Sequence, residues 1–146
     1  SLDRLQKTFE LAPNFWMPHM FAANTYINKE MYADAVAEAR KSIALPGSST
    51  YAVALECYAL AKSGQKEEAQ RSLDKMLEVS KTRFMPPTHI AIAYDGLGET
   101  QKALDWLEKG YEAHDPKMAF LKVDTKLDNL RSEPRFAALM KQLKLD

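Results

Sequence analysis

The stretch "YDGLGETQKALDWLEKGYEAHDP", residues 94–116, contains a Gly-x-Gly turn, a Trp, a His and an Asp-Pro pair. It could be a phosphate-binding loop or a turn between two helices. A phosphate-binding loop follows a β-strand, whereas a helical pattern precedes Gly98. After the turn, apolar and small residues recur at helical spacing; they are Ala103, Trp106, Leu107, Gly110 and Tyr111. We therefore expect Gly98 to end a helix in the left-handed conformation, as Gly64 does in "AKSGQKEEA".

The same pattern recurs every 34 residues without an insertion or deletion. Two sets of positions are small, where the helices of a pair would cross: Ala23, Cys57 and Ala91, and Ser1, Ala35, Ala69 and Ala103. Side chains that are larger, with the exception of Ala39, follow four and eight residues after the second set: Leu5, Ala39, Leu73 and Leu107, then Phe9, Ile43, Leu77 and Tyr111. Small residues let two helix backbones approach closely, and large ones fill the space around them. In the first repeat Glu30 stands where Gly64 and Gly98 stand in the others.

The period and these positions resemble the tetratricopeptide repeat, a unit of two antiparallel helices. The resemblance covers residues 1–116 and implies an all-α fold, a right-handed α-solenoid of helix pairs. The pattern predicts helices at 1–11, 16–29, 33–45, 49–63, 66–80, 84–97 and 100–113. The resulting single domain, 1–146, has a half repeat at 1–13, full repeats at 16–47, 50–81 and 84–115, and a C-terminal cap at 117–146.

The residues after 114 break the period. Asp115 and Pro116 predict the start of a short helix, since Asp caps helices and Pro favours their first turn. Leu127 and Leu130 indicate another short turn. Ser132 or Glu133 is expected to cap a last helix with one apolar face, formed by Phe136, Leu139, Met140 and Leu143. Such a segment would cover the apolar side of the last repeat.

This segment, "FLKVDTKLDNLRSEPRFAALMKQLKL", also resembles the terminal part of repeat domains in bacterial regulators. There, winged-helix DNA-binding, nucleotide-cyclase or kinase modules precede the repeats. The matching residues are Asp128, Leu130, Arg131, Pro134, Arg135 and Phe136. Ser1 falls in a position of the second helix of a repeat, which is typical of a fragment of a longer chain. The alternative is a lone leading helix that caps the stack.

Composition argues against several classes of function. The 20 basic and 20 acidic residues cancel, so no strong field attracts nucleic acid. No apolar run approaches the ~18 residues of a membrane span. A single cysteine, Cys57, and three histidines without ligand spacing argue against a disulfide or a zinc site. We expect a protein without enzymatic activity, cofactor or metal, located in the cytoplasm or in the periplasmic part of a membrane-anchored regulator.

The first helix of each pair lines the concave side of such a stack. The repeat register predicts an apolar and aromatic groove formed by Met17, Met20, Asn24, Ile27, Tyr51, Leu55, Tyr58, Lys62, Met85, His89, Ile92 and Asp95. Where some repeat proteins place the basic residues that bind a peptide carboxylate, this sequence has Met20, Tyr51, Leu55, Met85 and His89. Met and Tyr side chains suit a bound helix or extended peptide. The alternative is that some of these residues pack between neighbouring helices, or that the chain's own terminal segment or an oligomer contact covers them.

Two functions remain open. The first is a protein-interaction scaffold that binds a peptide or helix in this groove. The alternative is a sensory domain that binds a small apolar ligand and controls an upstream output module. An enclosed pocket would favour the small ligand, and an open trough would favour a peptide. The apolar face of helix 1–11, with Leu2, Leu5 and Phe9, is also expected to form a weak homodimer.

Overall fold

The computed structural model describes residues 15–121 and 124–144. Within these residues all regular structure is helical and no strand occurs. The elements are α1 (Trp16–Asn28), α2 (Tyr32–Ile43), α3 (Thr50–Lys62), α4 (Lys66–Ser80), α5 (Pro87–Gly96), α6 (Thr100–Glu112), the 3-10 helices η1 (Pro116–Phe120) and η2 (Thr125–Leu130), and α7 (Pro134–Gln142). The predicted helix at 1–11, and the homodimer expected through it, lie outside the described residues.

The helices pack sequentially in pairs, α1 with α2, α3 with α4 and α5 with α6. The first helices of the pairs also contact one another, α1 with α3 and α3 with α5. The small residues at the crossings are completely or almost completely buried, as their positions in the period predict; they are Ala23, Ala35, Cys57, Ala69, Ala91 and Ala103. We call the side formed by α1, α3 and α5 the inner face.

The turns within the three pairs have the same geometry. Glu30, Gly64 and Gly98 have φ values of 60°, 90° and 78°. In each turn the next residue donates its backbone N–H to a carbonyl five positions back, for example Gln65 to Leu60 at 2.9 Å. This pattern closes the C-terminal end of a helix. Glu30 adopts the left-handed conformation although it has a Cβ, which costs about 1–2 kcal/mol relative to glycine.

The helix boundaries agree with the predicted ones within two residues at most positions. The exception is the helix predicted at 84–97, which begins only at Pro87. Proline disfavours a helical conformation in the residue before it and is itself suited to the first helical position. Because Pro86 and Pro87 are consecutive, the preceding residues cannot continue a helix into α5, and Phe84 is left 76% exposed.

The C-terminal segment forms the two short helical turns and the last helix that its sequence predicts. The Asp115 carboxylate accepts the backbone N–H of Lys117 at 2.9 Å and so caps η1. Glu133 is the cap residue of α7, without a side-chain hydrogen bond. The apolar face of α7 is buried at Phe136, Leu139 and Met140 and half-buried at Leu143. Helix α7 packs on α6, whereas η2 packs on α5 of the inner face.

Candidate functional site

A cavity of about 660 Å³ lies between the inner face and the C-terminal residues that follow α6. We call η1, Leu121, Asp124 and η2 together the covering segment. The inner face contributes Trp16, Met17, Met20, Phe21, Asn24, Asn28, Ser49, Tyr51, Thr88, His89 and Ile92. The covering segment contributes Lys117, Leu121, Asp124, Thr125, Lys126 and Leu127. Apolar and aromatic side chains therefore provide most of the wall's surface, although nine of the seventeen lining residues that the structure describes are polar or charged.

The predicted groove is divided by the fold into two parts. Six of its residues line the cavity: Met17, Met20, Asn24, Tyr51, His89 and Ile92. The other six do not line it: Ile27, Leu55, Tyr58, Lys62, Met85 and Asp95. Among these, Lys62 is exposed, Asp95 is buried, and the four apolar or aromatic residues belong to the hydrophobic core. Packing between neighbouring helices and with the covering segment accounts for their burial.

Polar contacts hold the covering segment against α1. Lys126 Nζ donates to Asn24 Oδ1 at 2.7 Å, and Thr125 Oγ1 donates to Asn28 Oδ1 at 3.3 Å. The Lys126 side chain is only 3% exposed and is also 3.1 Å from Asp124 Oδ1. Its ammonium lies 5.4 Å from the centre of the Tyr51 ring. A buried ammonium needs such partners, because its transfer out of water is costly.

Sequence reasoning missed the polar residues of the covering segment, Lys126 above all. Asp124 does carry a local signal, because its carboxylate accepts the backbone N–H of Lys126 at 3.0 Å as a helix cap. The cap predicts a helix start at this point. It does not predict that the next lysine reaches an asparagine 102 residues earlier in the chain.

His89 is a neutral side chain at the cavity wall. Burial lowers its pKa to about 4, an effect that Asp115 opposes and Lys117 increases. Its Nδ1 lies 2.7 Å from Thr50 Oγ1, and its ring centre is 5.3 Å from that of Tyr51. At neutral pH the imidazole therefore has one N–H and one acceptor nitrogen, and it contributes no charge.

Asp115 connects the start of α5 to η1. Its Oδ2 accepts the backbone N–H of Thr88 at 3.2 Å and the Thr88 hydroxyl at 2.9 Å. Its Oδ1 accepts the backbone N–H of Lys117. One buried carboxylate thus satisfies donors at the first turns of both helices and positions the covering segment at this end of the cavity.

A second buried carboxyl group, Asp95, lies outside the cavity. Neither of its oxygens makes a hydrogen bond of normal geometry within the described residues. Burial raises its pKa to about 6, while the nearby Asn129 side chain and Lys62 act in the opposite direction. The next residue, Gly96, allows α5 to approach α3, since a Cβ there would lie 2.8 Å from Tyr58 Cα.

Cys57, the single cysteine, is not among the residues that line the cavity. Burial raises the pKa of the Cys57 thiol to about 12, so it is protonated at neutral pH. The Cys57 thiol donates to the Ala69 carbonyl at 3.3 Å, within the crossing of α3 and α4. In residues 15–121 and 124–144, no three His, Cys, Asp or Glu side chains are grouped as metal ligands would be. In the same ranges no helix has the length and apolar character needed to cross a membrane.

Comparison with protein-family models, with curated proteins and with solved structures gave no match.

Proposed function

We propose that the helix pairs form a right-handed solenoid of the tetratricopeptide type, with about three repeats. The spacing of the elements supports this proposal. The second helices of the pairs begin at residues 32, 66 and 100, and the first helices end at 28, 62 and 96. Both series have steps of 34 residues, the period of that repeat class.

We further propose that the domain binds a small amphipathic molecule between its inner face and its covering segment, without enzymatic activity. It would act as the ligand-sensing part of a larger regulatory protein. The cavity of about 660 Å³ is the observation that carries this proposal. Its size is within the range of small-molecule sites, and a wall that combines a larger apolar surface with polar groups suits an amphipathic molecule.

The covering segment distinguishes this site from an open peptide groove. Lys126 and Thr125 donate hydrogen bonds to the amide oxygens of Asn24 and Asn28, which a bound peptide would otherwise contact. Tyr58 and Leu55, expected in the groove, are already packed in the core. The cavity that remains beside the covering segment is partly open to solvent, and its size suits a compact ligand.

A peptide partner is the second candidate, and two exposed rings favour it. Phe21 lines the cavity and is 49% exposed, and Phe15, just before α1, is 43% exposed. Exposed aromatic side chains beside an apolar cavity are typical of surfaces that bind proteins. In this case an apolar side chain of the partner would enter the cavity.

Binding of the neutral fluorescent probe N-phenyl-1-naphthylamine tests the small-molecule proposal. The variant Met17→Trp partly fills the cavity with a larger side chain, and Met31→Trp makes the same change at an exposed position away from it. We expect the probe to bind the unmodified protein and to lose about tenfold or more in affinity only in Met17→Trp. No binding, or equal loss in both variants, contradicts the proposal. The peptide candidate instead predicts a bound peptide that is released by Phe21→Ala.

A further inference from the structure

The polar groups around the cavity indicate which kind of molecule it accepts. We infer that the ligand is a small amphipathic monoanion, with a carboxylate or similar group held by Lys126 and Asn24, while Lys117 adds positive charge to the same cavity wall. This inference depends on the proposed small-molecule site and adds the charge of its ligand.

The charged side chains of the wall favour a negative ligand. Among the described residues, the charged side chains that line the cavity are Lys117, Asp124 and Lys126, so in this part of the wall positive charge exceeds negative by one. The Asp124 carboxylate is engaged twice by Lys126, because its Oδ1 accepts the backbone N–H at 3.0 Å and lies 3.1 Å from the ammonium in an ion pair. Lys117 is exposed and forms no ion pair with any residue in the described ranges.

The orientation of Asn24 adds a donor beside this positive charge. An ammonium group can only donate, so the Asn24 atom 2.7 Å from Lys126 Nζ is the amide oxygen. The Asn24 NH₂ group is consequently the other end of the amide, and it has no hydrogen-bond acceptor among the described residues. An anion at this place would accept hydrogen bonds from the amide and from an ammonium, which are stronger than those between neutral groups.

The remaining acidic group near the cavity does not cancel this preference. Asp115 is 5% exposed, and its oxygens already accept hydrogen bonds from Thr88 and from the Lys117 backbone. It lies behind the wall and is not among the residues that line the cavity. Its charge is used to position the first turns of α5 and η1.

A cationic ligand is disfavoured by the same groups. The aromatic rings of the wall could in principle attract a cation. However, the Lys126 ammonium already lies 5.4 Å from the Tyr51 ring centre, and Lys117 would repel a second positive charge. The apolar part of the ligand is expected to contact Trp16, Met20, Ile92 and Leu121.

Three probes with the same ten-carbon chain test the inference: decanoate, decan-1-ol and decyltrimethylammonium. Each is used at neutral pH to displace bound N-phenyl-1-naphthylamine from the protein. We expect decanoate to displace the dye at concentrations about tenfold lower than decan-1-ol, since a charge-assisted hydrogen bond contributes this much. The cationic probe should be weaker than the alcohol.

Lys117→Gln removes one positive charge at an exposed position, and Lys75→Gln is the matched change on α4, away from the cavity. Lys117→Gln should lower the affinity for decanoate about three- to tenfold and leave that for decan-1-ol unchanged; Lys75→Gln should alter neither. Equal displacement by decanoate and decan-1-ol would overturn the monoanion inference while the small-molecule site stands. Failure of the dye to bind at all would contradict the proposed function itself.

Discussion

Lys126 Nζ lies 2.7 Å from Asn24 Oδ1, which joins the covering segment to α1 across 102 residues of chain. The contact places a buried ammonium next to a neutral amide, and Asp124 supplies the compensating charge at 3.1 Å. The covering segment therefore depends on α1 for its position, although α1 is far from it in sequence.

This contact should contribute to stability. Asn24→Leu removes the acceptor of a buried ammonium, so we expect unfolding to become easier by about 1–3 kcal/mol. The control is Asn28→Leu, which removes only the exposed 3.3 Å contact with Thr125 and should cost less than about 1 kcal/mol. Urea unfolding followed by circular dichroism measures both variants. If both variants lose the same free energy of unfolding, the contact of Asn24 with Lys126 stabilises the fold no more than that of Asn28 with Thr125.

The crossing of α3 and α4 should not tolerate added volume. Ala69 is fully buried, as its place in the period predicts. Ala69→Leu is expected to destabilise the protein by about 1–3 kcal/mol through overpacking. Ala37→Leu makes the same change at an exposed position of α2 and should be within about 0.5 kcal/mol of the unmodified protein. If Ala69→Leu unfolds at the same temperature as the unmodified protein, the crossing can accommodate the larger side chain.

The Asp95 carboxyl group should make the protein less stable as pH rises. Its folded pKa of about 6 lies above the ordinary value of 3.8, so the folded state binds the proton more tightly than the unfolded state. Its contribution to stability is thus complete below pH 3.8 and is lost as pH rises through 6. Asp95→Asn keeps the shape without the charge and should be more stable than the unmodified protein at pH 7, by about 1–3 kcal/mol.

The difference in unfolding free energy between Asp95→Asn and the unmodified protein should shrink as pH falls towards 4, where the Asp95 carboxyl is protonated in the folded state. Denaturant unfolding at a series of pH values measures it. A constant difference across the series would show that Asp95 does not titrate in this range.

His89 should act in the opposite direction. Its folded pKa of about 4 lies below the ordinary value of 6.5, so the folded state favours the neutral ring. The stability that the neutral ring provides is fully present above pH 6.5 and is lost as pH falls from 6.5 towards 4. The free energy of unfolding of His89→Gln should therefore decrease less between pH 6.5 and 4 than that of the unmodified protein. Circular dichroism checks that the variant keeps the fold. An equal decrease in both proteins would show that groups other than His89 cause it.

The helices, their pairing and the turns within the pairs follow from the pattern of residues along the chain. The 34-residue period identifies the buried small residues at the crossings, such as Ala69 and Ala103, and the left-handed glycines Gly64 and Gly98. These features depend on contacts within a pair or between neighbours, and such contacts repeat with the period. Glu30 is the exception, because the other residues of its turn impose a backbone conformation that glutamate does not favour.

The covering of the inner face, in contrast, depends on long-range contacts that the period does not contain. The covering segment lies outside the period, so no repeated position predicts which helices it contacts. Its return to α1 buries Lys126 against Asn24 and leaves a cavity of about 660 Å³ where the period predicts a continuous groove. The physical reason is that the position of a non-periodic segment depends on satisfying its own buried polar and apolar groups. Their partners lie about a hundred residues away along the chain.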